Sequence, residues 1–162
     1  MPRVVVGGRV EDGERFHGIC CSLHAVEPLL QVWLWRPVTA IANADKDGND
    51  DTTADAAWTP LLATPNHPEY PSAHGCLDSA LINAVAVVLG SNHVDVTVPG
   101  ATNGGTTLTT TPHFDTAHEY QAQFVDARVW IGFHFRNSTL QGERLGNAVA
   151  AWTLDRYFQP VK

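Results

Sequence analysis

Apolar positions along the chain change period several times, and each change marks an element. Leu23, Val26, Leu29, Leu30, Trp33 and Leu34 fall on one face of a helix over residues 14–35. Pro37 then ends or kinks that helix. Residues 38–71 lose the pattern, being rich in Asp and Thr with prolines at 60, 65, 68 and 71. A stretch that long inside a compact domain is usually functional or disordered. Helical spacing returns with Leu77, Ala80, Leu81, Ala84, Val85 and Val88, opened by Ser72 as N-cap and stopped by Gly90. His93–Val98 alternates like a short strand, and the turn at Gly100, Gly104 and Gly105 lets Thr106–Thr110 pair back as a hairpin. Thr116-x-x-Glu119 is a capping box for a third helix through about Arg128, and Ser138-x-x-Gln141 opens a last one through about Tyr157. On that last helix Leu145, Ala148, Val149 and Trp152 form the apolar stripe, while Gly142 and Gly146 permit close helix packing. The pattern predicts a single, mainly α domain over residues 1–162, with one short hairpin.

Composition adds exclusions. The 162 residues are 44% hydrophobic and 17% charged, enough for one ordinary core with a thin charged shell. A net charge of −7 argues against a nucleic-acid partner, which needs a basic face, but leaves room for a local anion pocket made by a few arginines. The best apolar run, Ser79–Leu89, is about half of a membrane span, and the apolar core of the N-terminal stretch is too short for a secretory signal. Cys20, Cys21 and Cys76 make poor material for disulfides. A soluble, cytoplasmic protein with reduced thiols is expected.

Candidate chemistry sits in three segments: Trp35-Arg36-Pro37, Pro71-Ser72-Ala73-His74-Gly75 and Arg128-x5-His134. Arg36 and Arg128 are permanently charged forks suited to a tetrahedral oxyanion. Ser72 and the free N–H groups of the helix it opens point where anions bind. His74 in that first turn can serve as acid or base, and His134 can coordinate or attack a central atom.

Taken in order, these segments resemble the vanadium-dependent haloperoxidases and their relatives, the type 2 phosphatidic acid phosphatases and bacterial non-specific acid phosphatases. The superfamily pattern is Lys-x6-Arg-Pro, Pro-Ser-Gly-His and Ser-Arg-x5-His-x3-Asp. WRPVTAI, ADKDGNDDTT, WTPLL, TPNHPEYPSAH and GFHF are similar to the soluble haloperoxidase-like branch, over roughly residues 15–157. The resemblance implies a helical-bundle core of the haloperoxidase/acid phosphatase type, without the N-terminal helical half of full-length relatives. It implies that Arg36, Arg128, Ser72 and a backbone N–H near Ala73 hold the equatorial oxygens of vanadate or phosphate. His134 would then be the axial vanadate ligand, or the nucleophile of a phosphatase that works through a phosphohistidine, with His74 as its acid–base partner. The implied small molecules are a small oxyanion with hydrogen peroxide and a halide, or a phosphate ester. Four positions depart from the pattern: Leu29 stands for the Lys, Ser138 for the Asp, Ala73 for the Gly and Ala127 for the Ser. Losing one charge-assisted hydrogen bond costs about 1.5–3 kcal/mol, and losing an outer partner of a ligand histidine about 10–100-fold in affinity. A weakened site is the expectation, with Ser138 doing part of the Asp's work or serving only as a cap.

Other readings stand beside this one. Asn43, Asp45, Asp47 and Asp51 match calcium-loop positions, but Ala54 stands where a bidentate Glu belongs and prolines flank the loop, so a solvated acidic turn is preferred. The other histidines, 17, 24, 67, 93, 113 and 118, lack zinc-site spacing and read as surface or hydrogen-bonded residues. A non-catalytic remnant that keeps the shape of the pocket is the rival from a different class. A bundle lacking part of its helices should expose an apolar face and self-associate.

Overall fold

The structure is a computed structural model that describes residues 34–157 apart from 101, 104, 105 and 108. Most of the helix expected over residues 14–35, Leu29 included, lies outside the described residues. Among the described residues the elements run α1 (Pro37–Ala42), a 3-10 turn (Ala44–Lys46), α2 (Ala73–Leu89), β1 (His93–Thr97), β2 (Thr102–Asn103), β3 (Thr106–Thr107), β4 (His113–Thr116), α3 (Ala117–Trp130) and α4 (Arg136–Arg156). The mainly helical class with a small antiparallel hairpin is as the sequence predicts.

Pro37 opens a helix of its own. It is the first residue of α1, where a missing N–H removes nothing and its fixed φ suits a helix. Residues 34–36 before it are not helical, and Arg36 is extended. α2 begins at its Ser72 cap, whose Oγ accepts the Gly75 N–H at 3.2 Å, and stops at Gly90 with φ +65°. α3 has both halves of its capping box: the Glu119 N–H donates to Thr116 Oγ1, and Glu119 Oε2 accepts the Thr116 N–H. α4 starts three residues earlier than expected, with Phe135 at its N-cap and no side-chain cap. Ser138 is therefore not a cap; it lies inside the first turn with its side chain turned into the protein.

The hairpin pairs differently too. β1 joins β4 in antiparallel register, His93 opposite Thr116 and Val96 opposite Phe114, with an irregularity where Asp95 takes φ +51°. Among the described residues the Thr-rich segment pairs as β2 with β3. Burial explains the choice. Val94 and Phe114 are both buried, and Val94 belongs to a core with Ile82 and Ala117 to which Val85, Ala86, Val96 and Tyr120 add. A run of threonines offers no such face.

α2 and α4 pack backbone to backbone. A methyl group at Gly142 would lie 2.3 Å from the Ser72 carbonyl oxygen, and one at Gly146 would lie 2.2 Å from that of Cys76. This contact holds the start of α2 against α4 and fixes where Ser72 and His74 stand. On its other side α2 leaves Leu77, Leu81 and Val88 exposed.

Candidate functional site

His134 stands in the tight turn between α3 and α4. Gly132 makes the turn with φ +83°, and the N–H groups of Phe133 and His134 both donate to the Arg128 carbonyl oxygen. That wrap of the helix end brings Arg128 and His134 to one place despite the five residues between them. His134 is 1% exposed. Its Nδ1 lies 2.8 Å from the Glu69 carbonyl oxygen, which can only accept, so Nδ1 carries a proton and, in the neutral ring, Nε2 the lone pair. Nε2 is buried and has no hydrogen-bond partner in the protein.

The second cation is equally enclosed. Arg128 is 9% exposed, its guanidinium lies 4.8 Å above the Phe133 ring, and its Nε is buried without a partner. Burial pushes its pKa down to about 10; the positive charge of Arg36 adds to the fall and Asp78 opposes it. Arg128 Nη2 lies 3.4 Å from His74 Nδ1, which must accept because guanidinium nitrogens only donate. Burial, then Arg128 and the neighbouring histidines and Arg36, push His74 down to about 4. At neutral pH its ring is uncharged. Asp78, one turn further along α2, accepts the Tyr120 hydroxyl at 3.0 Å; burial raises its pKa, while the bond from Tyr120 and the charge of Arg128 oppose that rise.

Arg36 reaches the same place but faces the backbone. Its Nε and Nη2 donate to the His67 carbonyl at 3.1 and 2.7 Å, Nη2 also to that of Pro68 at 3.2 Å, and Nη1 to that of Phe133 at 2.8 Å. One fork thus clamps the loop before α2 to the turn before α4. Burial lowers its pKa, with Glu69 pulling the other way.

Ser72 is fully buried, and its N–H donates to the Ser138 carbonyl at 2.9 Å. Ala73 opens α2, so its N–H belongs to the turn whose donors have no intrahelical acceptor. Ser138 Oγ donates at 2.5 Å to Glu69 Oε2. The six predicted side chains therefore gather at the α2 N-terminus and the α3–α4 turn, with Ala73 beside them.

Two residues escaped the sequence reading. His67 is hydrogen-bonded, its Nδ1 lying 3.1 Å from the Pro68 carbonyl oxygen, but it also belongs to the site: its ring lies 5.6 Å from that of His74 and 6.1 Å from that of His134, and its Nε2 is buried without a partner. Glu69 is 1% exposed, with its carboxylate held by Ser138 and by the Phe135 N–H at 2.9 Å. Burial would raise its pKa, but bonds from His134, Ser138 and Phe135 leave it below the usual range. The usable signal was an acid framed by Pro68 and Pro71, just ahead of a motif lacking its own acid.

The acidic turn closes on itself. Asp47 accepts the Asn49 N–H at 2.8 Å and the Thr52 hydroxyl at 2.9 Å, and Lys46 Nζ donates to Asn43 Oδ1 at 2.8 Å. Among the described residues no cluster of three or more His, Cys, Asp and Glu side chains is arranged as a metal site, and no helix is long and apolar enough to cross a membrane.

No curated protein matches the chain. Among solved structures it is similar to a bacterial vanadium-dependent chloroperoxidase. Against the apo form it has 27% identity and a TM-score of 0.55, covering 75% of this chain and 31% of that one. Against the holo form it has 26% identity and a TM-score of 0.57, covering 82% and 33%. A structure described as the first bacterial vanadium-dependent iodoperoxidase shares the fold, at 21% identity and a TM-score of 0.58 over 78% and 28% of the two chains. The chain spans about a third of the length of these relatives. Residues 30–162 match the VCPO second helical-bundle domain, and the chain belongs to that family, within the vanadium haloperoxidase-like superfamily.

Proposed function

We propose that this domain binds a tetrahedral oxyanion, vanadate or phosphate, between His134, Arg128 and the N-terminus of α2, and that with vanadate it oxidises halide using hydrogen peroxide. One observation carries the reading. The buried Nε2 of His134 bears a lone pair with no partner, beside an arginine whose buried Nε–H also has none. Orphaned buried polar atoms are costly and call for an explanation. An oxyanion with an electrophilic centre answers both, accepting from the arginine and receiving the lone pair.

Bound vanadate supplies the oxidising chemistry, which belongs to the metal. This chain's residues orient and charge. Glu69 fixes the His134 tautomer through its carbonyl. Arg128 and the first N–H groups of α2, Ala73 included, offset the anion's charge. His74, neutral while the site is free, gains a reason to hold a proton once an anion stands beside it. Ser72 keeps a hydroxyl at the same helix end.

A second reading, a non-catalytic remnant, is favoured by Arg36, whose fork already serves three carbonyls. Calorimetric titration with vanadate and with phosphate decides first whether an anion binds. Bromination of a dye with vanadate, peroxide and bromide tests the peroxidase, and a chromogenic phosphate ester tests the phosphohistidine alternative. The proposal expects vanadate binding and bromination that disappear in His134→Ala. Ester hydrolysis without bromination would replace the peroxidase by the phosphatase, and no binding of either anion leaves the remnant.

A further inference from the structure

A carboxylate that is 1% exposed, in a loop with no helical or strand pairing, needs a reason to be there. Glu69 grips three consecutive parts of one segment. Its carbonyl oxygen takes the Nδ1–H of His134, Oε1 takes the N–H of Phe135 at 2.9 Å, and Oε2 takes the hydroxyl of Ser138 at 2.5 Å. Oε1 also lies 3.5 Å from His134 Nδ1. We infer that Glu69 is the positioning residue of His134: its backbone sets the tautomer, and its buried negative charge, held in place by Ser138 and the start of α4, makes the imidazole a stronger donor at Nε2. The inference rests on the oxyanion reading above and extends it to a residue outside the arginine, serine and histidine motifs.

The physical chemistry is direct. A histidine that uses one ring nitrogen on an electron-poor centre is strengthened when the other ring N–H faces a carboxylate or carbonyl, and losing that partner typically costs about 10–100-fold in affinity. Both kinds of partner come here from one residue. Ser138 has the complementary place. Its hydroxyl touches the carboxylate, so an acid at position 138 would set its charge in the same buried spot from the other side.

The test uses the full chain and four variants: Glu69→Gln, Ser138→Ala, Glu69→Ala and Glu69→Ala/Ser138→Asp. Vanadate and phosphate affinities are read by calorimetry, and the His134 ring ¹⁵N and Nδ1–H resonances by NMR without any anion. Glu69→Gln keeps the size and the backbone carbonyl but removes the charge. It should weaken both anions about 10–100-fold while His134 keeps its tautomer and its Nδ1–H resonance moves. Ser138→Ala, which leaves the charge in place, should weaken binding less. Ser138→Asp should recover at least tenfold of what Glu69→Ala loses. A merely structural role would not be rescued by charge from the opposite side. Unchanged affinity in Glu69→Gln overturns the inference and leaves the oxyanion reading standing. If the parent chain binds neither anion, that reading fails, and the resonances alone decide: an Nδ1–H signal unmoved in Glu69→Gln overturns the positioning role as well.

Discussion

Replacing Gly142 by alanine should both loosen the fold and unmake the site, although alanine is the better helix former. Two effects oppose each other. In a helix interior alanine gains about 1 kcal/mol over glycine. Against that, the new methyl would stand 2.3 Å from the Ser72 carbonyl oxygen and 3.2 Å from the Cys76 nitrogen. Both are backbone atoms, so no side chain can swing aside. An ordinary carbon–oxygen contact needs about 1 Å more, and separating packed surfaces by that much forfeits about half of the dispersion attraction of the atoms concerned. Overpacking of this kind costs about 1–3 kcal/mol and occasionally more. The clash should win, with a net loss of about 1–3 kcal/mol, or a fall in Tm of about 3–10 °C for a domain this size. Urea denaturation at constant m-value measures it. Gly75 supplies the control on the same interface: its added methyl would meet the Thr139 carbonyl oxygen at 3.0 Å, so Gly75→Ala should cost clearly less. Because the displaced carbonyl belongs to the N-cap of α2, anion affinity should fall in Gly142→Ala even under conditions where the chain stays folded. A Gly142→Ala protein as stable as its parent would refute the close α2–α4 packing.

His74, held near 4, binds its proton more weakly folded than unfolded, where its pKa is 6.5. Stability should therefore be lost as pH falls from about 6.5 to about 4, and His74→Gln should flatten that limb of the urea midpoint against pH; equal slopes would remove the argument. The two arginines should separate in their effects: Arg36→Lys lowers the urea midpoint more, because one ammonium cannot serve carbonyls of two segments, whereas Arg128→Lys lowers anion affinity more. Calorimetry beside urea melts checks the crossed pattern, and the opposite ordering contradicts it. Leu77, Leu81 and Val88 leave an apolar stripe along α2, so sedimentation at micromolar concentration should show self-association that Leu81→Lys weakens; a monomer in both would dismiss it.

What could be read from the chain depended on how local the cause was. Ser72, Gly90 and the Thr116/Glu119 box mark α2 and α3 because a cap acts within four residues of itself. The start of α4 was misplaced for the same reason: Ser138 and Gln141 have the spacing of a box, but Ser138 answers a carboxylate 69 positions away. The partner of β1 lies elsewhere than the glycines suggest: they promise a turn nearby, while the strand carrying Phe114 brings an apolar residue opposite Val96. In the site, side chains whose chemistry announces itself, the arginines, histidines and Ser72, could be singled out in order. Glu69 is harder to single out, since an acid in a proline-framed loop reads as solvated unless it is set against the acid missing from the neighbouring motif. The use of Arg36 was hidden too, because a guanidinium facing carbonyls and one facing an anion look alike in sequence.

Charge gives the site a property that a surface patch of cations would lack. The chain as a whole carries −7, so its long-range field repels an oxyanion. Arg36, however, lies close enough that its positive charge helps lower the pKa of Arg128, and both arginines are drawn below their ordinary pKa chiefly by burial. Glu69 faces Arg36 and His134, and Asp78 faces Arg128, yet neither carboxylate meets the buried Nε of Arg128. Salt screens exposed charges beyond about 10 Å at 0.1 M but acts far less on buried pairs. Raising ionic strength should therefore relieve the global repulsion while leaving the local attraction nearly intact. Anion affinity measured from about 20 to 200 mM sodium chloride should stay flat or rise slightly. A steep fall over that range would mean that the anion is held at the exposed surface, away from His134.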